Sequence, residues 1–168
     1  MARLGLSSIG IKIGIQIEST KGEKPSTFKW FENCSAAAGS TNDRDQIDVT
    51  PMDETSYRRY RAGLGDSGGT KSLTFFLDNE AGIINDWKEL QTLAKAAASE
   101  GKAVWLEKWY PDMPLAYFST IEPGELPDPD LSVASAVEME INNVVNEDKG
   151  WLDAVEPKAV KLTGSTRA

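Results

Sequence analysis

The stretch Gly63-Leu64-Gly65-Asp66-Ser67-Gly68-Gly69-Thr70-Lys71 holds the five letters Gly-Asp-Ser-Gly-Gly that surround the nucleophile of trypsin-like serine proteases. That chemistry needs a base that takes the serine proton near neutral pH and returns it to the leaving group, and in those enzymes the base is histidine. The sequence contains no histidine. Lysine can replace it only when burial strips its proton, and Lys71 stands in a polar, glycine-rich stretch that offers no such burial. Glycine takes positive φ at no steric cost and Asp or Ser closes turns onto the backbone. The segment therefore reads as a mobile loop or a hairpin tip.

Other groupings also fall short of a site. Asp43, Asp45, Asp48 and Glu54 have the offsets of a calcium loop, with the glutamate eleven places after the first aspartate. Ile47 takes a ligand position, however, and Asp48 stands where the sharp turn needs glycine, so the run reads as an ordinary acidic loop. Glu138 and Glu140 lie two apart on one strand face and could be imagined as a glycosidase pair, but a hydrated strand face explains them equally well. Trp105, Trp109 and Tyr110 could stack on sugars; aromatics in a strand beside an amphipathic helix more often serve a core or a subunit contact. No constellation supports catalysis.

Composition narrows the classes further. A chain of 168 residues with 40% hydrophobic content can build one domain with a core. Its net charge of -8 opposes tight binding to nucleic acid or anionic membrane. The single cysteine, Cys34, excludes an internal disulfide, and with no histidine the usual zinc and copper ligand sets are missing, so no cofactor is expected. No apolar run approaches the roughly 20 residues of a membrane span or resembles a secretory signal.

The elements that would position these residues are mostly strands. Ile9, Ile11, Ile13, Ile15 and Ile17 alternate with Gly10, Lys12, Gly14, Gln16 and Glu18, a strict period of two. The glycines on the second face imply close approach of another backbone or a curved strand. Further strands are predicted over 27–38, over 46–50 where Ile47 and Val49 alternate with polar residues, over 71–78, 103–110 and 115–122, and from Leu131 to Val145. Between them, Ile83, Trp87, Leu90, Ala94 and Ala97 follow helical spacing over about 80–100, with Asp78 or Asn79 as N-cap and Gly101 as C′. The expected organisation is one β domain over 1–150, a long loop over 55–71 and a C-terminal arm over 151–168. Charge is uneven: residues 107–148 carry ten acidic residues against one lysine, net -9, while 57–71 carry Arg58, Arg59, Arg61 and Lys71 against Asp66, net +3. A basic glycine-rich loop beside an acidic body suits self-association, and an ordinary solvated loop accounts for the same composition equally well.

This order of parts resembles the major tail tube proteins of long-tailed bacteriophages: an opening strand, a short acidic strand ending in Asp48-Val49-Thr50-Pro51-Met52-Asp53-Glu54, a long polar loop, the strand Ser72 to Asp78, a central helix, then the 104–125 stretch and a long last strand. The resemblance implies a mainly β (α+β) fold, a β-sandwich or distorted barrel of two packed antiparallel sheets flanked by one α-helix, with N- and C-terminal arms. It implies a structural, non-enzymatic subunit without cofactor, forming hexameric rings stacked around a tape-measure protein in a virion tail assembled in the host cytoplasm. Tail completion and tip proteins would be its other partners, and DNA would pass through without specific binding. Arg58, Arg59, Arg61, Asp66 and Lys71 would then contact the adjacent ring, while Asp48, Glu138 and Glu140 would line an acidic channel that repels phosphates. The competing expectations are a type VI-like secretion tube subunit and a carbohydrate-binding β-sandwich module using Trp105 and Trp109.

Overall fold

The computed structural model describes residues 5–7, 9–40 and 42–166. The ends of both expected arms, residues 1–4 and 167–168, lie outside the described residues. The elements are β1 (Lys12–Ile17), β2 (Lys29–Phe31), β3 (Cys34–Ala37), β4 (Asp43–Asp48), β5 (Tyr60–Asp66), β6 (Thr70–Phe76), α1 (Gly82–Ser99), β7 (Val104–Trp109), β8 (Leu115–Glu122) and β9 (Glu138–Asp153). The fold is mainly β with one helix, as the resemblance implies, and its strands form two antiparallel sheets. One has seven strands in the order β2-β1-β7-β8-β9-β6-β3; the other is the β4–β5 pair. No helix among the described residues is long and apolar enough to cross a membrane.

The larger sheet curls. Its end strands, β2 and β3, are consecutive in sequence and joined only by Glu32 and Asn33, so the sheet's two ends must approach each other. Asn33 adopts φ 62° to make that step, and its carbonyl accepts a hydrogen bond from Phe76 N. This turn splits the single strand expected over 27–38. Phe31 of β2 meets Phe75 of β6 with ring centroids 6.4 Å apart, and the edge of Trp87 from α1 sits 5.9 Å from Phe31. The ladder between β2 and β3 does not close, so the sheet is an open curl.

Alternation then fills the interior. Ile13, Ile15, Ile17, Leu73, Phe75, Leu106, Ile121, Met139 and Ile141 point inward and pack with Ile83, Trp87 and Leu90 of α1. The helical stripe is the one that the spacing predicts. Asp78 Oδ1 accepts from Glu80 N and Gly82 N at the helix start. Gly101 ends the helix at φ 73°, with Gly101 N bonding Ala98 O and Lys102 N bonding Ala97 O, the Schellman arrangement. Between α1 and β9, Gly124 is held from three sides: its carbonyl accepts from Trp87 Nε1 and Gln91 Nε2, and its N–H donates to Asn143 Oδ1.

Two sequence expectations change here. The opening strand begins at Lys12, not Ile9; Gly10 turns the chain at φ 83° and Ile9 is exposed. Within the expected C-terminal arm, residues 151–166 are anchored to the body of the domain. β9 continues through Gly150 to Asp153, Leu162 is buried in the core, and Gln16 clasps the segment by bonding Lys161 O and Thr163 N.

Candidate functional site

The segment expected as a loop over 55–71 is mostly strand. β5 pairs with β4 in a projecting hairpin whose register sets Asp48 opposite Tyr60 and Ile47 opposite Arg61. Every residue of β4 is exposed, and in β5 only Gly63 is half-buried. A hairpin that buries so little is marginal in water, yet this one carries Ile47, Val49, Met52, Tyr57, Tyr60 and Leu64 into solvent. Local bonds shape its far end. Asp48 Oδ1 accepts from Thr50 N at 2.9 Å and from the Thr50 hydroxyl, which holds its carboxyl below the usual range. Arg59 pairs with Glu54 at 3.0 Å. Because β4 is extended and Glu54 is engaged by Arg59, the acidic run does not wrap as a cation loop.

The Gly-Asp-Ser-Gly-Gly letters form the turn from β5 to β6. Asp66 Oδ1 accepts from Gly68 N at 2.8 Å, Gly68 and Gly69 take φ 88° and 77°, and Gly69 O receives Val145 N. Asp66 is thus a turn-closing residue. Lys71 follows as a correction on two counts. It lies in β6 and is 2% exposed, so it is not part of the exposed hairpin, and burial pushes its ammonium down to about 8 despite the nearby Asp148. The burial missing from the sequence reading is real, but the partner is Ser119 Oγ at 3.3 Å, not Ser67. Ser119 is itself buried. The signal was present: Lys71 is in phase with Leu73 and Phe75.

Glu138 and Glu140 lie on one exposed face of β9, opposite Phe76 and Thr74 of β6. Asp48 belongs to the other sheet, and no hydrogen bond or ladder joins it to them. The acidity of residues 107–148 is also smaller at the surface than in sequence, because Glu107 and Asp148 are buried.

The opposite half of that sheet face is covered. Trp105 is 4% exposed and packs edge-on to Phe118 at 6.1 Å, with its Nε1 donating to Glu18 Oε1 at 2.7 Å. It cannot stack on a sugar, which removes one of the two tryptophans on which the carbohydrate expectation stood. Glu18 also accepts from Gly22 N and Ala103 N; burial alone would raise its carboxyl, but these three bonds hold it below the usual range. Glu107 beside it is fully buried, with Oε1 accepting from Val155 N at 2.9 Å and Oε2 lacking a hydrogen bond, and burial pushes it up to about 7. Gly14 lies against this layer, where a Cβ would come within 3.0 Å of Phe28 Cβ. The close approach expected on the glycine face is thus to the Phe28 side chain.

No family model matches the sequence, and no curated protein matches it significantly. Solved structures do share the fold. A chain of the PVC sheath–tube complex, an extracellular contractile injection system in its extended state, aligns with TM-score 0.54 at 10% identity over 89% of this chain and 93% of that one. A chain of the anti-feeding prophage tube-terminating cap aligns with TM-score 0.57 at 11% identity, covering 92% and 95%. A chain from the tail of an empty GTA particle, refined with helical C6 symmetry, gives 0.52 at 12%, covering 89% and 99%. The chain thus has the fold found in the tube, cap and tail assemblies of these particles.

Proposed function

We propose that the protein is a structural subunit of a phage-type tail tube, assembled as stacked hexameric rings in the host cytoplasm and working in the virion tail. One observation carries the reading. A chain with the fold of tail and injection-tube assemblies projects a hairpin whose apolar residues find no cover among the described residues. Such a hairpin gains its burial from a neighbouring copy. Arg58 and Arg61 would meet the acidic body of the adjacent ring, with Arg59 held in place by Glu54 and Asp66 fixing the base of the hairpin.

In this reading the Glu138–Glu140 face lines the channel, with Asp48 contributing from the hairpin. An acidic wall keeps DNA sliding, because each phosphate neutralised by a basic side chain would add affinity. The tape-measure protein would occupy the bore before DNA does, and completion and tip proteins would close the ends. A tube subunit of a contractile injection system is the second reading, favoured by the same fold in the PVC sheath–tube complex. Nucleic acid recovered inside purified native particles separates the two.

Negative-stain microscopy of the purified chain, and of Arg58→Glu/Arg59→Glu/Arg61→Glu, tests the core of the proposal. Wild type should form tubes and the triple variant should stay a folded monomer by circular dichroism. Tubes of normal length from the triple variant would reject the hairpin's role. Glu138→Lys/Glu140→Lys should still form tubes but deliver DNA poorly, with the defect relieved at high salt.

A further inference from the structure

The interior of the curled sheet changes character along its length. On β7 the inward series runs Val104, Leu106, Lys108; on β8 it runs Ile121, Ser119, Tyr117; on β9, Ile141 is followed by Asn143; on β6, Leu73 is preceded by Lys71. The end beneath α1 is apolar, and the other end opens as a polar cavity of about 330 Å³. Among the described residues its lining includes Ser40, Lys71, Lys108, Tyr110, Tyr117 and Trp151. Trp151 lies between the two tyrosines, tilted 34° to Tyr110 at 5.6 Å and edge-to-face with Tyr117 at 5.4 Å, which makes one wall an aromatic surface.

The charges in this mouth do not balance. Lys108 stands close enough to Lys71 to disfavour its charge, though burial does so more, and Asp148 is the carboxylate that pairs with Lys71 among the described residues. Asp148 is 4.0 Å from Lys71, longer than a hydrogen bond, and its Oδ1 is already taken by Ser40 Oγ at 3.1 Å. Cys34 beside Lys108 supplies no countercharge, because burial pushes its thiol up and keeps it neutral. Each ammonium has three donors, yet among the described residues Lys71 makes one hydrogen bond, to Ser119, and Lys108 one, to Ala38 O, both at 3.3 Å. The mouth therefore sets two ammonium groups against one carboxylate, whose Oδ2 makes no hydrogen bond, and Lys71 otherwise faces the Tyr117 ring at 4.9 Å.

We propose that the polar mouth of the curled sheet is an oxyanion pocket in which Lys71 and Lys108 together hold a phosphate or carboxylate group against the Tyr110–Trp151–Tyr117 wall. Two sources share that chemistry: a free anion from the medium, and the carboxylate of an acidic side chain on a second copy of this chain. The second source rests on the assembly reading above, whereas the pocket itself does not.

Isothermal calorimetry on the full chain, with inorganic phosphate and with succinate at ionic strength held constant by sodium chloride, tests the pocket. Saturable binding is expected, weakened at least tenfold in Lys108→Met and unchanged in Lys88→Met on the exposed side of α1. Lys71→Met/Asp148→Asn, which removes the buried pair together, should weaken it similarly and guards against misfolding of the single variant. Absence of saturable binding in wild type, or equal affinity in both pocket variants, overturns the proposal. The source follows from assembly kinetics: phosphate that slows tube formation at fixed ionic strength assigns the pocket to a neighbour's carboxylate, and phosphate that binds without slowing it assigns a free anion. Failure of the chain to form tubes would reject the assembly reading and leave the binding result standing.

Discussion

The seven-stranded curl and the β4–β5 hairpin are both antiparallel β-structure, yet they are held by different means. In the curl, one face packs against α1 and part of the other against Phe28 and the C-terminal segment, so side-chain burial specifies register, curvature and edges. In the hairpin almost nothing is buried, and what holds it is the ladder itself, the Asp48–Thr50 turn and the Arg59–Glu54 pair. Exposed ion pairs contribute at most about 1 kcal/mol, and an isolated two-stranded ribbon is marginal in water. If the hairpin mediates assembly as proposed, the contrast teaches that the fold of the monomer and the capacity to associate reside in separable parts of one chain. Damage to the curl should cost stability, while damage to the hairpin should cost assembly alone.

The largest effect is expected at Gly124. A Cβ there would overlap the Asn142 carbonyl oxygen, and three hydrogen bonds prevent the backbone from retreating. Gly124→Ala should therefore lose about 3 kcal/mol or more in chemical unfolding. A loss below about 1 kcal/mol would mean that the α1–β9 junction is slack. Next is Leu90→Ala, which empties a fully buried site under α1 and should cost about 2–5 kcal/mol. An unchanged melting temperature would contradict the core as described.

Glu107 sharpens the comparison through pH. Its carboxyl titrates near 7 when folded and near the ordinary 4.5 when unfolded, so the folded state holds the proton more tightly. Stability from this group is present below about 4.5, falls as pH rises toward 7, and is gone above. Glu107→Gln should match wild type near pH 4.5, melt higher at pH 8, and show a flatter profile between. Parallel profiles for the two proteins would show that Glu107 is not held in the buried, poorly bonded state described. The smallest effect belongs to the hairpin: Leu64→Ser, at a highly exposed site, should move stability by no more than about 0.5 kcal/mol while reducing tube formation. A substantial fall in unfolding midpoint would erase the distinction between the two regions.

The legibility of the chain follows the same division. Leu115–Glu122 and the 82–99 helix match the predicted segments because burial on one side imposes a period that the residues must carry. β5 escaped notice because Tyr60–Asp66 has no buried face, and a strand without one leaves no alternation to read. Lys71 escaped because residue type outweighed phase; its position relative to Leu73 and Phe75 placed it inside. The C-terminal segment escaped because its anchor, Leu162 with the Gln16 clasp, is a long-range contact with no local pattern.

Sequence by itself determined the mainly β class, the single amphipathic helix and its inward stripe, the turn character of Gly-Asp-Ser-Gly-Gly, and the outward face of Glu138 and Glu140. These are consequences of periodicity and backbone permissiveness, which act within a few residues. Tertiary structure alone decided that β2 and β3 stand at opposite ends of one curled sheet, that Trp105 is sealed beneath Glu18, and that Lys71 and Lys108 converge in one cavity with Asp148 4.0 Å from Lys71. The physical reason is that such meetings depend on which distant strands share a ladder, and the free energy of that choice is spread over the whole core rather than written in any one stretch of residues.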